Sequence, residues 1–178
     1  RARQHLADRG LSPSDIGCIP AAAGGPKGLA LLPLDRLLAR EWLAQATTLE
    51  LIGASIGAWR MAALAQADPL AALDRLQHAY VRQQNYPERP TTSQVAVVCR
   101  GLARAVTDGR AMPVRDGIAL SVLTSRARGV LINNTRSAFA RAALSNAVAR
   151  DRLGAHLQRV VFQAGAPGRL DMKQDAFG

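Results

Sequence analysis

The sequence predicts an α/β fold built on a mainly parallel sheet. Short apolar runs that suit buried strands alternate with longer segments of helical spacing, and this alternation is typical of parallel strands joined by helical crossovers. The 178 residues are enough for one domain with a hydrophobic core. A composition of 48% hydrophobic and 20% charged residues is that of a globular protein.

The first half of the chain supplies two strands and three helices in this prediction. In order, they are a strand at 16–23 that runs into a loop, a helix at 27–43, a strand at 49–52, a helix at 56–66 and a helix from Pro69. The apolar side of the first helix is formed by four leucines, Leu31, Leu34, Leu37 and Leu38. Asp68 is the predicted N-cap of the third helix, because a proline follows it.

The second half begins with a predicted loop at 87–93, after which residues 94–106 suit a helix or a strand equally well. Two Asp-Gly pairs and a proline then predict a loop or turn at 107–117. The remaining predicted elements are a strand at 118–125, a helix at 136–153 ended by Gly154, and a strand at 159–163.

The chain carries a formal net charge of +10, almost wholly from arginine. Such a balance suits nucleic acid or an anionic membrane surface. The arginines are scattered among alanines, as on solvated helix faces, and no nucleic-acid recognition module is present. We therefore expect no nucleic-acid partner, and we keep peripheral contact with an anionic membrane open. No apolar run is long enough to predict a membrane-spanning helix.

Cys18 and Cys99 both lie in apolar stretches, without the spacing of a metal site. We interpret them as buried free thiols, which indicates a reducing, cytoplasmic compartment. No other ligand spacing indicates a metal, and we expect no cofactor.

The stretch Gly53-Ala54-Ser55-Ile56-Gly57 is a Gly-x-Ser-x-Gly pattern behind the predicted strand at 49–52. A serine nucleophile on a sharp strand-to-helix turn requires neighbours that are nearly free of side chain, and the flanking residues here are small. The following helix directs its N-terminal dipole at the serine oxygen. Ser55 is therefore the candidate nucleophile, with Gly53 and Gly57 forming its elbow.

A second glycine-rich element, Gly24-Gly25-Pro26-Lys27-Gly28, also follows a strand and opens a helix. Its bare backbone N–H groups suit an anion, either a phosphate or an oxyanion. The phosphate loop of nucleotide-binding proteins requires Gly-Lys-Ser/Thr in that order. Here the lysine precedes the glycine and a leucine follows. We therefore assign Gly24, Gly25, Lys27 and Gly28 to a candidate oxyanion hole.

With both elements inside residues 16–57, the chain resembles the patatin-like phospholipases over roughly residues 16–65. The matching motifs are "GGPKGL" at 24–29 and "GASIG" at 53–57. The resemblance implies a three-layer α/β/α sandwich and a lipid acyl hydrolase, a phospholipase or esterase of lipid degradation, with a Ser-Asp dyad. We treat 1–178 as a single patatin-like domain that is an N-terminal fragment of a longer one.

The resemblance also implies a catalytic aspartate in a downstream Asp-Gly-Gly or Asp-Gly-Ala motif that follows a strand. Asp108 and Asp116 are each followed by one glycine, but both precede the strand at 118–125 and suit turns. Asp171 and Asp175 lack a following glycine. We therefore expect the dyad aspartate beyond Gly178, which would leave this fragment inactive.

Two alternatives remain open from the sequence. One is a non-catalytic module of the same fold that binds anionic lipid or a partner protein. The other is an α/β-hydrolase triad that uses His5, His78 or His156, although none of these occupies the expected place in chain order. Trp42, Trp59 and Met61 suit core packing or an acyl pocket, and Trp59, four residues after Ser55, suits the pocket best.

Overall fold

The computed structural model describes residues 1–46, 48–83, 87–88, 90–133, 135–148 and 152–168. In these ranges the chain has an α/β fold with a four-stranded, mostly parallel sheet, which confirms the predicted class. The strands lie in the order β1 (Cys18–Ala21), β2 (Leu49–Ala54), β3 (Ile118–Ala127) and β4 (Leu157–Gly165). The α-helices are α1 (Ala2–Arg9), α2 (Leu32–Leu37), α3 (Ile56–Leu64), α4 (Pro69–Gln83), α5 (Thr92–Val106), α6 (Arg136–Val148) and α7 (Leu153–His156).

The chain divides into two compact units. The first contains Arg1–Ser121 and Gln163–Gly168, and the second contains Val122–Phe162. Both glycine-rich motifs lie in the first unit, together with β1, β2 and the helices from α1 to α5. The features that position the candidate site can therefore be described within this unit.

The core of the first unit lies where α3 packs on β2. Leu51 of β2 is fully buried, and Ile56, Met61 and Leu64 of α3 are at most 1% exposed. Eight of the nine α3 residues are buried, because its small and apolar side chains allow close approach on more than one side. Leu73 of α4 is also fully buried. Helix α3 therefore packs against both β2 and α4.

Helix caps explain the boundaries of α4 and α5. The Asp68 carboxylate accepts a hydrogen bond from the Ala71 N–H at 3.0 Å, which confirms the predicted N-cap. The ambiguous segment 94–106 is helical, and the helix begins at Thr92 within the predicted loop. Thr91 and Gln94 form a capping box there. That Thr-x-x-Gln spacing was the available signal in the sequence.

The helical segment from Gly25 to Gln45 contains the largest correction. It winds as a 3₁₀ helix over Gly25–Leu31, continues as α2, and then passes through a π-helical turn at Leu38–Trp42 and a 3₁₀ turn at Leu43–Gln45. The predicted apolar side faces solvent instead: three of its leucines, Leu31, Leu34 and Leu37, are exposed, and Leu38 is half-buried. The buried side is formed by Gly28, Leu32, Asp35, Ala39 and Leu43.

Three smaller expectations are also corrected. The predicted helix at 136–153 is described as α6, which ends at Val148, and Gly154 lies inside α7 instead of ending a helix; residues 149–151 lie outside the described ranges. Cys18 and Cys99 are exposed, not buried. Cys18 is exposed because β1 is the first strand of the sheet and its Cys18–Pro20 side is open.

Within the described ranges, no helix combines the length and apolar character needed to cross a membrane.

Candidate active site

Ser55 lies on a sharp turn between β2 and α3. Its backbone has φ 54° and ψ −125°, a conformation that a side-chain-bearing residue rarely adopts without compensating contacts. The serine is exposed, although the residues that follow it are buried. Its carbonyl accepts the Ala58 N–H at 2.9 Å, so the helix begins directly after the serine. This positive φ fits the sharp strand-to-helix turn that the sequence predicts at Ser55.

Close backbone contacts on both sides of Ser55 exclude larger residues. A Cβ atom placed on Gly57 would lie 2.6 Å from the carbonyl carbon of Ala21, the last residue of β1. One placed on Gly53 would lie 2.6 Å from the backbone nitrogen of Ala58. A Cβ atom closer than about 3 Å to a backbone atom would force the closely packed backbone to shift. Glycine at both positions therefore lets the turn pack directly against β1 and α3.

The glycine-rich loop adjoins this turn because β1 and β2 are parallel. Ala21 is paired in register with Gly53, so both strands deliver their following loops to the same edge of the sheet. Gly28 is buried against Ile56, the residue after Ser55, and a Cβ on Gly28 would lie 2.6 Å from the Ile56 Cγ2 atom. The structure thus brings the two predicted motifs together.

The loop itself is open and carries an exposed lysine. A Cβ on Gly24 or Gly25 would meet no atom within 4 Å, and Gly25 has a φ of 56°. Lys27 is exposed, and no described carboxylate forms an ion pair with it. The N–H groups of Ile56 and Gly57, the first two residues of α3, have no carbonyl partner within the helix. Loop, lysine and helix terminus therefore favour negative charge at this edge.

A buried ion pair joins the two helices that follow the motifs, and it was not predicted from the sequence. Arg60 of α3 donates two hydrogen bonds to the Asp35 carboxylate, from Nε at 2.6 Å and from Nη2 at 2.7 Å. The side chains are 7% and 1% exposed, respectively. The pair fixes the helical segment after the glycine-rich loop against the helix after Ser55. Arg60 is the one charged residue between Glu50 and Asp68, and that was the available signal.

Neither weak candidate for the catalytic aspartate reaches Ser55. Asp116 precedes Gly117, whose carbonyl accepts the N–H of Leu49 at the start of β2. Ser55 follows the end of that strand, about 20 Å away for six extended residues. Asp108 lies just after α5, where Arg75 hydrogen-bonds the Ala105 carbonyl.

The surroundings of Asp108 place it at the far end of α3. Arg75 also bonds Gln66, two residues past the last residue of α3, while Ser55 precedes the first. Among the described residues, Ser55 Oγ has no hydrogen-bond partner. Asp171 and Asp175 lie outside the described ranges. The described part of the chain therefore brings the candidate nucleophile next to the candidate oxyanion loop, and neither Asp108 nor Asp116 reaches them.

The two histidines of the first unit, His5 and His78, do not lie at the turn that carries Ser55. His5 forms a 3.0 Å contact with Asp15 before the start of β1, at the edge opposite Ser55. Hydrogen bonds from Ser12, followed by that from His5, hold the pKa of Asp15 below its usual range. His78 is exposed on α4, in the hollow that it shares with Asp108. His156 belongs to the second unit. None of the described histidine, cysteine and acidic side chains cluster as a metal site would require.

One of the three candidate pocket residues, Met61, is a core residue at 1% exposed. Trp42 is half-buried and lines an apolar hollow with residues that include Leu43 and Leu49. Trp59 is half-buried, one turn of α3 beyond Ser55. It keeps its place as the candidate wall of an acyl pocket.

Comparisons with family models, with curated proteins and with solved structures found no match to the chain. The functional interpretation therefore depends on the geometry of Ser55 and the glycine-rich loop.

Proposed function

We propose that the protein is a lipid acyl hydrolase of the patatin-like type, with Ser55 as nucleophile. One observation carries the proposal: Ser55 has a positive φ at the start of α3, in the turn that contacts the glycine-rich loop through Ile56 and Gly28. A lone Gly-x-Ser-x-Gly pattern has little specificity. A strained, exposed serine beside an anion-binding loop meets the geometric requirements of acyl transfer.

In this proposal Ser55 Oγ attacks the ester carbonyl carbon while a base accepts the hydroxyl proton. The negative charge that develops on the carbonyl oxygen is bound by backbone N–H groups of Gly25 and its neighbours. Pro26 is the exception among these neighbours, because it has no N–H to donate. Lys27 stabilises that charge or meets an anionic headgroup. The base then returns the proton to the departing alcohol, and water releases the acyl group from Ser55 in the second half of the reaction.

The proposal needs a carboxylate base at the same edge of the sheet as Ser55. Asp108 and Asp116 do not meet this condition, because both lie toward the opposite edge. We propose that the dyad aspartate belongs to another segment of a single patatin-like domain with a three-layer α/β/α architecture. A cytoplasmic protein that contacts anionic membranes peripherally fits this function.

A non-catalytic module is the second candidate, and a specific observation favours it. The Ser55 hydroxyl has no partner among the described residues, so no described group activates it. Such a module would use the same positive edge to bind an anionic lipid without cleaving it.

Labelling with a fluorophosphonate, which reacts with activated serines, separates these candidates. We expect the full-length wild-type protein, which includes the segment that carries the dyad aspartate, to be labelled on the peptide that contains Ser55, and the same protein with Ser55→Ala to remain unlabelled. Ser93→Ala, which changes an exposed serine on α5, is the matched control and should be labelled normally. Absence of label from the folded wild type would favour the binding module and contradict the hydrolase. Hydrolysis of a water-soluble short-chain ester should follow the same order among the three proteins.

A further inference from the structure

An apolar stripe faces solvent on the helical segment that begins at the glycine-rich loop. Leu31, Leu34 and Leu37 are 44%, 49% and 46% exposed, respectively. They recur every three residues and therefore lie on one side of the helix. We call these three residues the leucine stripe. A surface helix normally shows charged or polar residues on its outer side, so an outer side formed by three leucines suits an apolar partner or environment.

The stripe cannot turn inward without breaking the buried ion pair. Asp35 lies on the opposite, buried side of the same segment and is held by two hydrogen bonds from Arg60. Rotating the helix to bury the leucines would expose Asp35 and leave Arg60 buried without its partner, which is strongly unfavourable. The outward orientation of the leucine stripe is thus built into the packing of the first unit.

Exposed cations flank the stripe at both ends. Lys27 precedes Leu31 by about one helical turn, and Arg40 follows Leu37 by three residues; both are exposed. Glu41 is the exposed acid at that end. Arg36 is held by Asp74 and Gln77 of α4. Leucines bounded by free cations, in a chain of net charge +10, have the pattern of a helix that lies in an anionic lipid interface.

The charge pattern and the size of the stripe both disfavour a second copy of the chain as its occupant. Pairing two stripes would bring Lys27 and Arg40 of each copy close to like charges. Three half-exposed leucines also offer far less than the roughly 600 Å² per partner of even a small stable interface. An anionic bilayer accepts a small apolar stripe and neutralises the flanking cations at the same time.

We infer that the leucine stripe and its flanking cations dock the protein on an anionic lipid surface. The segment that carries the stripe begins at the glycine-rich loop, whose Gly28 contacts Ile56 beside Ser55. The inference rests on the proposed function for its biological meaning, since docking would hold a lipid hydrolase at the surface that contains its ester substrates. Its test requires no catalysis.

The test is co-sedimentation of the full chain with vesicles of phosphatidylcholine, with or without phosphatidylglycerol. We expect binding to the anionic vesicles, weak binding to pure phosphatidylcholine, and loss of binding as the salt concentration is raised from about 0.1 M to about 1 M. The triple variant Leu31→Ser/Leu34→Ser/Leu37→Ser should lower the partition coefficient by about tenfold or more. The matched control Leu6→Ser/Val95→Ser/Val97→Ser changes exposed apolar residues on other helices and should bind like wild type.

A charge variant gives a second measurement. Arg40→Gln should weaken binding to anionic vesicles several-fold, whereas Arg100→Gln, at an exposed position on α5, should not. Thermal unfolding followed by circular dichroism establishes that each variant is folded. Equal binding by wild type and the folded triple variant, or no binding by wild type, would overturn the inference. So would a wild-type dimer that the triple variant converts to monomer.

The two proposals fail in different ways. If docking is wrong, Ser55 still reacts with the fluorophosphonate and a soluble ester is still cleaved. If hydrolysis is wrong, the serine is unlabelled while vesicle binding still depends on the leucine stripe.

Discussion

Removing the charge of Asp35 should destabilise the first unit far more than a surface substitution does. In Asp35→Asn, the Arg60 guanidinium stays buried, with 7% of its side chain exposed, but loses its ionised partner. The side chain of position 35 is 1% exposed, so water cannot replace the carboxylate without opening the packing of α2 against α3. The variant therefore isolates the penalty of an unpaired buried cation.

The expected loss is about 3–5 kcal/mol of unfolding free energy, the usual result of breaking a buried pair by removing one partner. A natural domain has about 5–15 kcal/mol in total. The double variant Asp35→Leu/Arg60→Met removes both charges and replaces them with apolar side chains of similar length. It should recover most of the loss, because both desolvation penalties disappear together.

Urea unfolding followed by tryptophan fluorescence is the appropriate assay, because Trp42 and Trp59 both lie in the first unit. The single variants Asp35→Leu and Arg60→Met, the double variant and the wild type form a double-mutant cycle, which isolates the coupling between the two side chains. A loss below about 1 kcal/mol in Asp35→Asn, or a double variant that shows the sum of both single losses, would refute the reasoning. An exposed pair behaves in that way.

Two further predictions concern the elbow and the free thiols. Ser55→Gly should be about 0.5–1 kcal/mol more stable to urea than Ser55→Ala, because glycine adopts the φ of 54° without strain; equal stabilities would show that the turn is unstrained. In a Cys99→Ser background at pH 8, iodoacetamide should alkylate Cys18 more slowly than it alkylates the thiol of free glutathione. Partial desolvation and then the Glu50 carboxylate raise the pKa of this thiol, so less thiolate is present until the pH passes that raised value. A rate equal to that of glutathione would contradict this explanation.

The elbow could be predicted from sequence because its determinants are local. An apolar run, a serine and small flanking residues all lie within residues 49–58, and together they require a strand, a tight turn and a helix. The parallel arrangement of β1 and β2 followed from the helical segment between them. Gly28 then lies next to Ile56 because β1 and β2 are neighbouring strands, and the alternation of strands and helices in the sequence already indicated that arrangement.

The orientation of the helical segment could not be predicted in the same way. Its sequence is apolar on two sides, so periodicity identified the leucine side without showing whether that side faces the core. The choice depends on Arg60, 25 residues beyond Asp35, since the helix must present the carboxylate to that arginine. Similarly, the Asp-Gly turns at Asp108 and Asp116 were identified, but their distance from Ser55 depends on which edge of the sheet each turn occupies.

The buried ion pair also makes the number of residues between Gly28 and Asp35 critical. Each residue inserted into or deleted from an α-helix rotates everything beyond it by about 100°. A single-residue deletion in this stretch would keep Gly28 against Ile56 but turn the carboxylate away from Arg60. The segment winds partly as a 3₁₀ helix and partly as an α-helix, and this winding directs Asp35 toward Arg60 only at the present number of residues. Substitutions on the outer face of this segment leave the ion pair intact, whereas a change in its residue count does not.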